Sequence, residues 1–239
     1  IVDPAALAGT SCARNLPRLR QPKNAPMAKP SVNQISIQRY RTRAAGYDAS
    51  ARFTMPLRER TIALLQLRPG QTVLDVGAGT GLSYALLRKG VGEQGLVMAF
   101  EQSPEMFEQA RDRVMRERWN NVWHCCTAAE TVKLPQPADA VLFNYVHDIS
   151  RTPAAVDNIM RQVKPGAHVA VAGMKFFPWW TGPLNLLPWL KNRPYNAHPA
   201  DLWHPWDLIA RWCDGFERAS TQSGMGYIAH GRRKQGMAP

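Results

Sequence analysis

Nine consecutive residues, Val73-Leu74-Asp75-Val76-Gly77-Ala78-Gly79-Thr80-Gly81, carry the clearest chemical signal in this chain. An apolar run that reads as a buried strand passes directly into alternating glycines, and a helical pattern follows. Glycine is needed at such a turn because the backbone must bend sharply and let a ligand approach without intervening side chains. Glu101 stands 20 residues beyond Gly81, at the end of the next apolar run. An acid at that position can accept both hydroxyl hydrogens of a ribose. Strand, glycine turn, helix and distal acid therefore point to a nucleoside-containing ligand.

These features fit both NAD and S-adenosylmethionine (SAM), and three details favour SAM. The glycine spacing is GxGxG, where dinucleotide binders carry GxGxxG. Asp75 lies inside the strand, where a carboxylate can meet the ammonium group of a methionine moiety. The run Cys126-Thr127-Ala128-Ala129-Glu130 ends the third strand, where an adenine-contacting turn is expected.

Residues 70–175 resemble the class I SAM-dependent methyltransferases. Val73 to Gly81 matches their first motif and Val97 to Ser103 the acidic second one. Asp139 to Asn144 matches the fourth strand, and Val163-Lys164-Pro165-Gly166 the turn before the fifth. The resemblance implies an α/β Rossmann-like fold: a seven-stranded, mostly parallel sheet, its last strand antiparallel near Tyr227 to Arg232, with helices on both faces. It implies SAM as cofactor, held by Asp75, Gly77, Ala78, Gly79, Gly81, Glu101, Gln102, Thr127, Ala128 and Asn144. Relatives often carry Asp where this chain has Thr127. Gly46-Tyr47-Asp48 resembles an element of the quinone-biosynthesis and phospholipid methyltransferase branches that closes over the cofactor, which places Tyr47 at the methionine end.

Methyl transfer from a sulfonium asks for in-line approach in a dry, ordered site, and for a base when the acceptor carries a proton. The candidates are His147 and Asp148, just beyond the fourth strand, although a histidine there can equally cap a loop. His124 and Cys125 read as core residues. Asn144-Tyr145 resembles the N-P-P-Y element of adenine-N6 methyltransferases without its two prolines, which disfavours nucleic acid as acceptor. Residues 175–206 hold five tryptophans, Trp179, Trp180, Trp189, Trp203 and Trp206. Such side chains suit apolar pockets and membrane interfaces. The segment is expected to form a lid over the transfer site, with Tyr40 and Tyr47 closing the opposite side. The expected partners are a small apolar or lipid-like acceptor and, peripherally, an anionic membrane. A SAM-binding protein without catalysis and a nucleic-acid methyltransferase are the alternatives.

The elements that position these residues follow from periodicity. The 239 residues suffice for one α/β domain with a sizeable core. Residues 1–34 are basic, rich in proline and without periodicity, and read as an arm, with Met27 a plausible start. Residues 35–68 read as a helical cap ending at Pro69-Gly70, and 69–234 as the methyltransferase core. Strands are expected at 72–76, 95–100, 122–126, 140–144 and 169–174, with helices at 82–88, 104–118, 154–163 and 205–213. Phe216 to Thr221 and Tyr227 to Gly231 read as a closing strand pair.

Lysine and arginine number 30 against 18 acidic residues, a net charge of +12. That excess is compatible with nucleic acid, an anionic membrane, an acidic substrate or merely a solvated basic surface. No run reaches the roughly 18 apolar residues of a membrane-spanning helix. Cys12, Cys125, Cys126 and Cys213 match no zinc or CxxC spacing. They are expected to be buried thiols of a cytoplasmic protein, and no secretory-leader pattern is read in the first residues.

Overall fold

The computed structural model describes residues 37–38, 54–192 and 202–236. The sheet consists of β1 (Thr72–Val76), β2 (Leu96–Glu101), β3 (Val122–Cys126), β4 (Ala138–Asn144), β5 (Val163–Met174), β6 (Cys213–Thr221) and β7 (Gly226–Arg233). Its seven strands lie in the order β3-β2-β1-β4-β5-β7-β6. All neighbouring pairs from β3 across to β5 are parallel. β7 runs antiparallel to both β5 and β6, so it alone opposes the rest. The order reverses between β1 and β4, and a crevice opens there at the carboxyl ends of the strands.

Burial on both faces explains why the central strands are nearly continuous apolar runs. All five residues of β1 are buried. Side chains alternate between faces: Leu74, Val76, Met98, Phe100, Val141 and Phe143 share one core. Val73, Val97, Ala99, Ala140 and Leu142 belong to the other. Helix α1 (Met55–Ala63) buries Leu57 and Ile62, and α2 (Tyr84–Val91) buries Tyr84, Leu87 and Val91. Helix α3 (Pro104–Arg116) opens on proline at its first turn and buries Met106, Phe107 and Ala110, one stripe at helical spacing. A short α4 (His147–Ser150) precedes α5 (Pro153–Arg161), whose Ala155, Val156, Ile159 and Met160 pack into the first core.

The expected turn at Pro165-Gly166 lies inside β5. Ala138 pairs with Val163 and Ala140 with His168, so the residues between form a bulge. Gly166 takes φ 77°, which lets the chain loop out and rejoin the ladder. The closing pair forms as expected, with turn residues Gln222–Gly224 between β6 and β7. After β5 come a 3-10 segment (Trp179–Asn185), α6 (Leu186–Asn192) and the short α7 (Asp207–Ala210). The expected helix at 205–213 is thus a single turn. The arm 1–34, Tyr40 and Tyr47 lie outside the described residues. No described helix is long and apolar enough to cross a membrane.

The cysteine expectation needs correcting at one position. Cys125 and Cys213 are free, half-buried and buried respectively. Burial pushes their thiols up to about 11 and about 12. Cys126 is disulfide-bonded; it is only partly buried, at the end of edge strand β3, so the apolar surroundings expected of a buried thiol are incomplete there.

Candidate active site

The glycine turn forms because three of its residues need left-handed backbone: φ is 57° at Gly77, 59° at Gly79 and 76° at Gly81. A Cβ at Gly77 would stand 2.8 Å from Val146 Cγ1 and 3.0 Å from Ile149 Cδ1. The loop after β4 therefore packs directly against the turn. The Ala78 N–H donates to Phe100 O at 3.0 Å, tying the turn to β2. Arg113 of α3 donates from Nε to Thr80 O at 3.1 Å.

Glu101 is the hub. One carboxylate oxygen accepts the Gly79 N–H at 2.9 Å and the other accepts the Ser103 N–H at 2.8 Å. Its carboxyl is raised above the usual range chiefly by burial, offset by these backbone donors. The Gln102 N–H is a further backbone donor to this carboxyl, and since a carboxylate offers about four acceptor positions, capacity remains for a ligand. The Thr127 N–H donates to Glu101 O, which fixes the end of β3 beside β2.

Asp75 lies deeper. Its carboxyl is pushed up to about 7, first by burial and with a smaller contribution from Glu101. The guanidinium of Arg58, on α1, and a hydrogen bond from Ser83 pull in the other direction. Arg58 Nη1 donates to Ser83 Oγ at 2.6 Å, and both residues are buried. One oxygen of Asp75 has no hydrogen-bond partner.

An open cleft of about 560 Å³ lies at this end of the sheet, lined by Gly77, Gly79, Glu101, Gln102, Asn144, His147 and Asp148. The structure thus gathers seven of the expected residues. Asp75 sits beneath the turn and Gly81 at its far end. Tyr47 lies outside the described residues. At the end of β3, Ala129 lines the cleft, one residue beyond Thr127 and Ala128. The Thr127 hydroxyl is 3.3 Å from that of Thr131, and Ala128 O accepts from the Thr131 hydroxyl and the Val132 N–H.

Phe100, Met106, Tyr145, Val146 and Ile149 complete the lining. Sequence reasoning missed them because apolar residues at strand ends look like core. Tyr145 had one potential signal, its place directly after a strand. It takes φ 59°, a left-handed conformation rare for a bulky residue and of the kind that clusters at ligand sites. None of the described residues of 175–206 lines the cleft.

His147 is buried and its imidazole is held down to about 4, first by burial and then by Arg151. It is therefore neutral near pH 7. The Met174 N–H donates to His147 Nε2 at 3.2 Å, so that lone pair already has a partner. His124, likewise pushed down to about 4 by burial, packs against Tyr84 and Phe107 as a core residue. Among the described residues no His, Cys, Asp and Glu cluster could hold a metal.

Residues 73–166 match the methyltransferase domain family. The fold is that of a class I SAM-dependent methyltransferase. The protein-L-isoaspartate O-methyltransferase of Aeropyrum pernix is 30% identical over 135 residues, 56% of this chain and 48% of that protein. The aklanonic acid methyltransferase DauC of Streptomyces sp. (strain C5) is 27% identical over 214 residues, 84% of this chain and 95% of that protein. Several curated relatives are spanned by this chain for half of their length or less. In fold, the N-methyltransferase NodS of Bradyrhizobium japonicum, solved with S-adenosylhomocysteine, matches at a TM-score of 0.61 and 15% identity, covering 85% of this chain and 99% of its own.

SAM is the cofactor of such a domain, and the residues present fit it. The glycine turn is a cradle in which a side chain at Gly77 would collide with its surroundings. Glu101 lines the cleft with acceptor positions suited to ribose hydroxyls. Both amide atoms of Asn144 are buried there without a partner, a costly arrangement that a polar ligand group relieves.

Proposed function

We propose that this protein transfers a methyl group from SAM to a small, apolar or lipid-like acceptor. The observation that carries the reading is the Glu101 carboxylate, presented to the cleft while anchoring the glycine turn through Gly79. When bound, SAM supplies an electrophilic methyl on a sulfonium. Glu101 would hold the ribose hydroxyls, Asp75 would meet the ammonium group, and Gln102 and Ala129 would flank the nucleoside. Asn144, at the end of β4, would orient the reacting end.

The apolar acceptor is supported by Tyr145, Val146 and Ile149, which wall the cleft on the side of the β4 loop. Apolar walls exclude water and suit an uncharged acceptor surface. Where the acceptor carries a proton, His147 and Asp148 stand nearest to receive it. Nε2 of His147 would take a proton only after releasing the Met174 N–H. The resemblance of Gly46-Tyr47-Asp48 supports the quinone-biosynthesis or phospholipid branch as the source of the acceptor class.

The test is transfer of radiolabelled methyl from SAM into separated aqueous and lipid fractions of a cell extract, with Glu101→Ala as control. Label in the lipid fraction, lost in the variant, supports the proposal. Label confined to the aqueous or nucleic-acid fraction overturns the apolar acceptor, and none in any fraction overturns the enzyme.

A further inference from the structure

The segment that follows β5 exposes an unusual amount of apolar surface. Trp179 is 77% and Trp180 71% exposed, and their rings meet edge to face at 6.2 Å. Leu184, Leu186, Leu187 and Leu190 are exposed within the next ten residues. Among the residues of α6 whose burial is described, only Pro188 is buried, while Trp189 is half-buried. A contiguous patch of this kind marks an interaction surface, because water is a poor neighbour for it.

Its charge narrows the occupant. No aspartate or glutamate occurs from residue 175 to 200, and Lys175 and Lys191 bracket the exposed run. Burial, and after it the Arg218 guanidinium of β6, hold the Lys175 amine below its ordinary value. Arg218 also lies 4.9 Å over the Trp206 ring. The whole chain carries +12. An exposed apolar segment bearing tryptophans, flanked by lysines and without an acid in its own sequence, matches the headgroup region of an anionic bilayer. A second copy of this chain would instead bring a like-charged rim against it.

Position links the patch to the cleft. β5 ends at Met174, whose N–H holds His147 of the cleft lining. The chain reaches Trp179 five residues later. Phe177 is fastened by its N–H to Asn185 Oδ1 at 2.8 Å, which braces the exposed segment to the sheet end. The patch and the cleft therefore belong to the same, carboxyl edge of the sheet.

We propose that Trp179, Trp180 and the exposed leucines through Leu190 form a docking surface for an anionic lipid bilayer, which brings the cleft to a bilayer-borne acceptor. This rests on the apolar-acceptor reading above for its purpose, and on the surface itself for the docking.

The experiment is co-sedimentation of the whole protein with vesicles of phosphatidylcholine alone or mixed with phosphatidylglycerol, alongside sedimentation velocity without lipid and calorimetric binding of S-adenosylhomocysteine. The expected result is binding to the anionic vesicles that weakens with salt. Trp179→Ala with Trp180→Ala should weaken it about tenfold or more, and Lys191→Glu should weaken it as well. Cofactor affinity should not change in any of these variants, which also verifies their folding. Absence of binding to anionic vesicles, equal binding to neutral ones, or a lipid-independent dimer dissolved by the tryptophan substitutions would overturn the docking surface. Lost S-adenosylhomocysteine binding in the unsubstituted protein would instead overturn the methyltransferase reading and leave the docking result standing.

Discussion

The Gly79 N–H reaches the Glu101 carboxylate at 2.9 Å, joining the turn after β1 to the end of β2 across 22 positions of sequence. The same carboxylate caps Ser103 at the entrance to α3. One side chain thus sets the shape of the cofactor cradle and presents its acceptor. Removing it should damage both. Glu101→Ala is expected to weaken S-adenosylhomocysteine binding by roughly 1.5–3 kcal/mol, the worth of hydrogen bonds to a charged group. Calorimetry at fixed pH checks this, and unchanged affinity would remove Glu101 from the site.

Gly77→Ala should be worse than a usual surface change. The new Cβ would meet Val146 at 2.8 Å in a left-handed backbone. Crowding and strain together cost about 2–5 kcal/mol. Thermal denaturation should show a lowered midpoint, with cofactor affinity reduced because the β4 loop is pushed outward. Gly166→Ala offers the contrast: it shares a positive φ but has nothing near its Cβ. It should cost only backbone strain and leave cofactor affinity intact.

Asp75 should make the ligand-free protein pH-dependent. Its carboxyl titrates near 7 in the fold against an ordinary 3.8. A raised carboxyl stabilises the fold fully below the unfolded value, and that contribution is lost as pH rises through the folded one. Denaturant unfolding from pH 4 to 8 should therefore show Asp75 weakening the fold progressively, and Asp75→Asn should flatten that dependence. Cofactor affinity should run the other way, rising with pH through about 7 as the carboxylate forms for an ammonium partner. A pH-independent affinity in the unsubstituted protein would separate Asp75 from the ligand.

His147 has the opposite sign. Its imidazole is depressed to about 4 from 6.5, so its neutral form stabilises the fold above 6.5 and that contribution is lost as pH falls toward 4. The full shift corresponds to about 3 kcal/mol. His147→Gln keeps an acceptor for the Met174 N–H and cannot titrate, so the variant should lose less stability at pH 4.5 than the unsubstituted protein does. Its turnover at pH 7 separates the two roles: methyl transfer retained within a few-fold marks a positioning residue, and loss of two orders of magnitude marks a base.

Much of this was legible in the sequence because it is local. The near-continuous apolar runs of β1 and β4, the glycines whose φ is positive, and the acid at the end of β2 are all decided by neighbours along the chain. They placed β1 to β4 to within two residues, though β5 begins six residues before its expected start, and they named Gly77, Gly79, Glu101, Gln102 and Asn144. The closing β6–β7 pair was legible for the same reason, since a turn and two short runs suffice to mark it.

The rest depended on residues distant in sequence meeting in space. No periodicity shows that Arg58 of α1 comes to Ser83, or that both bear on the buried Asp75 carboxyl. The sequence placed a possible base at His147, but only the packing of β5 beside β4 brought the Met174 N–H to its lone pair. The tryptophans of 175–206 were countable, and their composition required them to face something apolar. That Trp206 is buried against Tyr227 while Trp179 and Trp180 face outward was decided by how the chain leaves the sheet. Local patterns set which way a side chain can point, and only the assembled sheet sets what stands there to receive it.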